Sequence, residues 1–297
     1  MKLFNFLKNC YGNIKLKKYI VKEVNKSIHI WLHSRDEFHD KALYEPFSLE
    51  HALEYRGESI NYVNCHIQEI PENGADIRHF DFVHSSFLDS FPFIKVKWNM
   101  LSEPATEPDL KKIMQHEKPL INDFKMKLLE RYVTNENKKY INVISLSCYL
   151  TFFEKYTIFL FNGTGFQVGP GLVWLFLKSN HFEIILAQSV TPLSKFCQRV
   201  SHKLYTSWYF PYFLSTIFLV FGEVRQFMND MRIWNHKQFA SKLCYNLKTE
   251  ADRKLLKWRN WYAQFYDGCH EFEMKREELE WWFFINIVLF CLFKKNI

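Results

Sequence analysis

None of the seven cysteines in this 297-residue sequence stands in a C-x-x-C or C-x-H arrangement. No zinc or iron–sulfur ligand set can therefore be read from them. An odd, scattered cysteine count fits a reducing compartment better than a disulfide scaffold. Glycine and proline number only 9 each, which argues against a low-complexity or disordered chain. No apolar stretch reaches the ~20 residues that cross a bilayer as a helix. Trp208–Val220 is short and holds Pro211, and reads as a buried or interfacial segment. Trp281–Phe293 ends at Lys294 and Lys295, and reads as a monotopic anchor or as a tail without structural meaning. The opening residues break their apolar run at Lys8 and offer no small-residue cleavage site, so no signal peptide is expected.

What is abundant is aromatic: 30 Phe, 15 Tyr and 9 Trp within 48% hydrophobic residues, enough to fill a sizeable core. The net charge of +7 is spread among acidic residues rather than gathered in an arm, so no nucleic-acid partner is expected. A local cluster of Lys15, Lys17, Lys18 and Lys22 faces either water or an anionic membrane surface.

Along the chain, Ser27–His33 alternates like a strand, and Tyr44-Glu45-Pro46 reads as a linker or turn. A helix is expected to start after Pro71, and residues 109–132 have helical or loop character. From Lys139 to about Val190, alternating and apolar runs are punctuated by Gly163, Gly165, Gly169, Pro170 and Asn180, the pattern of an antiparallel meander. After Pro192 helices are expected over Phe196–Tyr205, Phe218–Trp234 and about Thr249–Tyr266. Strands followed by helices give an α+β domain in which a helix packs across a curved antiparallel sheet.

The chemistry-bearing cluster is Glu72-Asn73-Gly74-Ala75-Asp76-Ile77-Arg78-His79-Phe80-Asp81-Phe82-Val83-His84. Asn73, Asp76 and His79 are three apart and would form one slanting stripe of a helix. His84 lies about 140° round from His79 at 3.6 residues per turn, so both rings meet one ion only if the helix bends or ends between them. Two imidazoles and a carboxylate on one face of Fe(II) leave positions open for oxygen. H-x4-H is far less specific than H-E-x-x-H. For the carboxylate, Glu72, Asp81, Glu223 and Asp230 all qualify on chemistry.

Asn73-x-x-Asp76-x-x-His79-x4-His84 resembles the mononuclear iron signature of the Rieske non-haem iron oxygenases. Val63–Asn73, Gly169-Pro170-Gly171, Thr191-Pro192-Leu193 with His202 and Tyr205, Asp230–Lys237 and Trp258–Asp267 resemble the Neverland-type cholesterol 7-desaturase branch of that family, over about residues 20–268. The resemblance implies a helix-grip, START-like catalytic domain with a long C-terminal helix, in which His79, His84 and Asp230 hold mononuclear Fe(II). It implies that Asp76 links His79 to a histidine of a partner's [2Fe-2S] cluster, and that Asn73 sits near the iron without binding it. It divides the chain into a Rieske-domain remnant with linker (1–45), the iron domain (46–277) and an apolar tail (278–297). The activity implied is O2-dependent 7,8-desaturation of cholesterol to 7-dehydrocholesterol, with electrons from an NAD(P)H-dependent reductase. The partners implied are a sterol, O2 and the other chains of a homotrimer or mixed trimer, in the cytoplasm or at the endoplasmic reticulum membrane.

The C-x-H and C-x-x-H that bind a Rieske cluster are absent, so this sequence departs from the family there. The expectation is a truncated form, inactive alone. A non-catalytic sterol-binding domain and a steroid hydroxylase are the alternatives.

Overall fold

Five long strands joined by short connections run between Ile141 and Thr206, and side-chain alternation along them places apolar residues on both faces of one sheet. The computed structural model describes residues 18–32, 41–49, 53–86, 92–100, 105–106, 124–179, 182–237 and 249–265. The strands are β1 (Val21–Val24), β2 (Ser27–Ile30), β3 (Glu54–Val63), β4 (Ile94–Met100), β5 (Ala105–Thr106), β6 (Ile141–Phe152), β7 (Tyr156–Val168), β8 (Leu172–Lys178), β9 (Glu183–Ser194) and β10 (Cys197–Thr206). β1 and β2 form a hairpin of their own. The main sheet has the order β3-β10-β9-β8-β7-β6-β4 with β5 added beside β6, and every neighbouring pair is antiparallel.

On one face Phe166, Trp174, Ile185 and Tyr205 bury against Phe47, Leu49 and the helix α3 described below. Phe47 stacks on Trp174 with ring centroids 4.8 Å apart. The residues between these on the same strands, among them Leu175, Leu177 and Ile184, point to the opposite face and line a cavity. A two-residue period with both faces covered explains why the strands read as nearly continuous apolar runs.

The helices are α1 (Glu69–Glu72), α2 (Ile77–Val83), α3 (Phe124–Tyr132), α4 (Tyr212–Ile217), α5 (Arg225–Trp234) and α6 (Glu250–Tyr262), and a π-helical stretch, Phe218–Val224, joins α4 to α5. Helix expected from Phe218 to Trp234 is present and begins six residues earlier, after Pro211. α6 starts where Thr249 caps it, its side chain accepting from the Asp252 N–H. Its indoles and phenol tie it to the sheet end: Trp258 Nε1 donates to Gln167 (2.9 Å), Trp261 Nε1 to the Lys139 carbonyl (2.8 Å) and Tyr262 Oη to the Pro170 carbonyl (2.9 Å).

Two expectations are corrected. Phe196–Tyr205 is not helical, because β10 runs through it between β3 and β9. Its polar residues are largely buried and find partners distant in sequence: Gln198 donates to the Cys65 carbonyl at 3.0 Å, and Ser201 bonds Glu58. The single helix after Pro71 is in fact two. Pro71 lies inside α1, the chain turns through Gly74 and Ala75, and Asp76 takes an extended conformation whose carboxylate accepts from the Arg78 N–H to start α2. Asn73, Asp76 and His79 therefore do not share one helical stripe.

The β1–β2 hairpin is fastened to the sheet by buried Lys203, which reaches the Asn25 carbonyl (3.1 Å), while Asn25 Nδ2 donates to the Phe47 carbonyl (2.6 Å). Residues 107–123, Tyr266, the 278–297 tail and the apolar run at Trp281–Phe293 lie outside the described residues. Among the described residues, no helix is long and apolar enough to cross a membrane.

The Gly169-Pro170-Gly171 turn has a packing reason. Gly169 sits at φ +65°, and a Cβ there would fall 2.3 Å from the Tyr44 ring. Gly169→Ala is expected to lower stability by about 2–4 kcal/mol in urea unfolding, from backbone strain plus displacement of Tyr44. Gly74→Ala, which has ordinary φ and meets only the Pro71 carbonyl at 3.3 Å, should stay within about 1 kcal/mol.

Candidate metal centre

α2 ends at Val83, and His84 is its C-terminal cap, with its N–H bonded to the Phe80 carbonyl. This ending turns His84 back toward His79, with ring centroids 5.0 Å apart and planes at 82°. α5, crossing from the other side, supplies Asp230. Side-chain donor atoms of His79, His84 and Asp230 all lie within 4.8 Å of one another, and His84 Nε2 is 3.2 Å from Asp230 Oδ1.

Each imidazole is oriented through its Nδ1. His79 Nδ1 bonds the Asp76 carbonyl, and His84 Nδ1 meets Gln226 Oε1 at 2.8 Å. Gln226 is itself fixed, its Nε2 donating to the Ser86 carbonyl at 2.7 Å. With both Nδ1 atoms donating to oxygen acceptors, each Nε2 carries a lone pair aimed inward, the arrangement metal-binding histidines adopt. His84 Nε2 lies 3.2 Å from Asp230 Oδ1, and that buried carboxylate oxygen has no hydrogen-bond partner. A cation between these groups would satisfy it: ligand atoms about 2.1 Å from one ion lie roughly 3 Å apart when adjacent. Burial also pushes the His79 imidazole below its ordinary pKa, toward the neutral form that binds metal.

The rival carboxylates are committed elsewhere. Glu72 pairs with Arg259 at 2.6 Å, and burial raises its pKa above the usual carboxylate range. Asp81 lies 3.9 Å from Arg78 on the surface. Glu223 meets His202 at 2.7 Å. Asp76 holds His79 through its main-chain carbonyl while its carboxylate caps α2. Asn73 lines a small cavity of about 180 Å³ together with His79, His84 and Asp230. Three residues missed by sequence reasoning also shape the site: Gln226 orients His84, Trp98 donates its indole N–H to the His84 carbonyl (3.1 Å), and Phe80 packs between them. Gln226 lies one helical turn before Asp230, a spacing that becomes informative only once Asp230 is known to point inward.

His84 and Asp230 also line a larger cavity of about 510 Å³, whose wall is almost wholly aromatic and aliphatic. That volume lies within the roughly 300–1,000 Å³ of small-molecule sites. His84 and Asp230 therefore open onto an apolar chamber.

The family model of the 3-ketosteroid 9alpha-hydroxylase C-terminal domain matches residues 31–266. The chain belongs to this family, within the Rieske oxygenases. Among Rieske oxygenase relatives, it is similar to the cholesterol 7-desaturase nvd of Drosophila melanogaster, 33% identical over 271 residues that make up 90% of this chain and 57% of that protein. The cholesterol 7-desaturase nvd of Bombyx mori is 31% identical over 257 residues, 85% of this chain and 49% of that protein. The chain thus spans about half the length of the curated relatives it matches. A crystal structure of dicamba monooxygenase bound to 3,6-dichlorosalicylic acid superposes with a TM-score of 0.51 at 9% identity, over 83% of this chain and 69% of that one, and shows the shared fold.

Replacing Gln226 by Leu leaves His84 Nδ1 without its acceptor and should weaken Fe(II) or Co(II) binding about 10–100-fold in anaerobic titration, with the chain still folded. His79→Ala and Asp230→Ala should abolish stoichiometric binding.

Proposed function

We propose that this chain is the oxidising domain of a Rieske-type sterol oxygenase that desaturates cholesterol at the 7,8 position with O2. The observation that carries the reading is that His84 and Asp230 of the His79–His84–Asp230 cluster open onto the apolar 510 Å³ cavity. The two cholesterol 7-desaturase relatives support the reaction and the sterol.

His79, His84 and Asp230 would hold ferrous iron, which when bound supplies the activation of dioxygen. The chain's own residues do the positioning. Gln226 and the Asp76 carbonyl fix the two imidazoles. Phe80 and Trp98 wall the cavity beside them, keeping water out and holding the ligand's carbons next to the cluster. Desaturation in place of hydroxylation requires hydrogens on two adjacent carbons to be presented together, so the fit of the apolar wall sets the outcome.

Asp76, half-buried at the start of α2 and bonded to His79, is placed to pass electrons from a histidine of a partner's [2Fe-2S] cluster, and Asn73 supports the site without binding iron. Electrons come from an NAD(P)H-dependent reductase, through a cluster whose ligands this sequence does not hold. The curved sheet with the long C-terminal helix makes the helix-grip arrangement of the catalytic domain, residues 46–277, with residues 1–45 as Rieske-domain and linker sequence and 278–297 as an apolar segment. Its assembly is a homotrimer or a mixed trimer with full-length chains. Trp208, Tyr212 and Phe213 are exposed beside the cavity-lining Phe210 and Leu214, which suits contact with an intracellular membrane surface such as that of the endoplasmic reticulum.

The test is a single turnover: chain loaded anaerobically with Fe(II) and cholesterol, given electrons by a reduced Rieske protein and its reductase, then exposed to O2. The expected product is 7-dehydrocholesterol, absent with Asp230→Ala. Formation of an alcohol would make the chain a hydroxylase. Bound iron and cholesterol with no oxidised sterol would make it a lipid-binding domain.

A further inference from the structure

Away from the metal centre, the wall of the apolar cavity holds a close pair of a histidine and a carboxylate. His202 on β10 and Glu223 in the π-helical stretch both line it, with side chains 3% and 4% exposed and His202 Nδ1 2.7 Å from Glu223 Oε1. The pair is held on both sides. His202 Nε2 shares a 2.9 Å hydrogen bond with Gln188 Oε1, and Ser59 Oγ donates to Glu223 Oε2 at 2.8 Å. Phe227 packs edge-on against the imidazole at 4.7 Å. Neither residue takes part in holding His79, His84 or Asp230.

Fold stability does not account for this cluster. A buried ion pair is often no better than well-packed apolar residues of the same volume, because desolvation offsets the attraction. An oriented polar group on an otherwise apolar wall is how a ligand site fixes the direction of its occupant. A carboxylate has about four acceptor positions; Ser59 engages one, and Glu223 Oε1, in contact with His202 Nδ1, is buried without a hydrogen-bond partner. Gly222, next to Glu223, also lines the cavity and carries no side chain that could fill the space. A π-helical turn at this point is itself a frequent mark of function.

We propose that Glu223, set in place by His202 and Ser59, is the ligand-anchoring residue that accepts a hydrogen bond from a hydroxyl of a neutral, otherwise apolar ligand. The anchor stands seven residues before Asp230, roughly 10 Å along the helix at 1.5 Å per residue. A hydroxyl bound there leaves the carbons one or two fused rings away beside the metal-binding side chains. The carboxylate also disfavours anionic conjugates of the same ligand. This inference rests on the sterol reading of the cavity.

The experiment measures equilibrium binding of cholesterol and of cholest-5-ene, which lacks the hydroxyl, to the full chain. A hydrogen bond to a charged acceptor predicts a tenfold or greater preference for cholesterol. In the His202→Leu/Glu223→Leu double variant, which removes the pair without stranding either charge, the two affinities should converge to within about twofold. A merely structural role would weaken both ligands together and leave their ratio standing. Wild type binding both equally overturns the anchor while keeping the sterol reading, and so does a preference that survives in the double variant. Should the double variant not fold, Glu223→Gln is measured in its place: loss of the charge should cut the preference for cholesterol several-fold, and an unchanged preference overturns the anchor. If neither compound binds, the sterol reading falls and the anchor falls with it.

Discussion

The site depends on the register of one helical face. Glu223, Phe227, Asp230 and Trp234 are the buried residues of the run from Phe218 to Trp234, spaced four, three and four apart. Phe227 and Trp234 pack on each other, ring centroids 5.4 Å apart, and on Val63, Ile70 and Val200. These apolar contacts fix the rotation of the helix, and the polar residues between them inherit their directions. A slip of one residue turns the face by about 100°. That would carry Asp230 away from His84 and Glu223 away from His202 together.

The metal centre adds a second constraint, the place where α2 stops. His79 lies inside α2 and His84 caps it, so the two rings converge because the helix ends between them and would diverge if it continued. Trp98 holds the main chain at that point through the His84 carbonyl, and Asn229 of α5 donates to the Val83 carbonyl at 3.3 Å. Helix end, strand and crossing helix are thereby tied at one position. Asp230 is buried there beside the two imidazoles, with no hydrogen-bond partner for its Oδ1. Burying such a group is costly, so a divalent cation at this candidate centre would stabilise the folded chain.

How much of this was legible in the sequence varied with the kind of signal. The meander over β6 to β9 was visible because tight turns and two-residue alternation are local. β10 is not legible as a strand because it pairs with β3, more than 130 residues away, and its buried Gln198 and Ser201 bond Cys65 and Glu58, partners that no window of sequence contains. β3 and β4 gave no reading at all, since both carry charged residues among the apolar ones. At the site, the proximity of His79 and His84 is plain in the sequence, but the single helical stripe expected of Asn73, Asp76 and His79 does not form, because Gly74 and Ala75 turn the chain between two helices. Among four chemically suitable carboxylates the local pattern could not choose. Resemblance pointed to Asp230, and the fold supplies the physical reason: the other three are exposed or already paired.

Cavity and metal centre are coupled through shared walls. Phe80, Trp98, Phe227 and Asp230 border both the large chamber and the small one. A ligand packed against Phe227 acts on the same helix that sets Asp230, and a cation held by Asp230 stiffens the wall the ligand meets. Each binder favours the folded arrangement in which this face is seated, so each should strengthen the other through the order it imposes, even without direct contact between them. One element thus bears both Asp230 of the candidate metal centre and much of the cavity wall, which is the condition an oxygenase needs to oxidise a chosen carbon and not its neighbour.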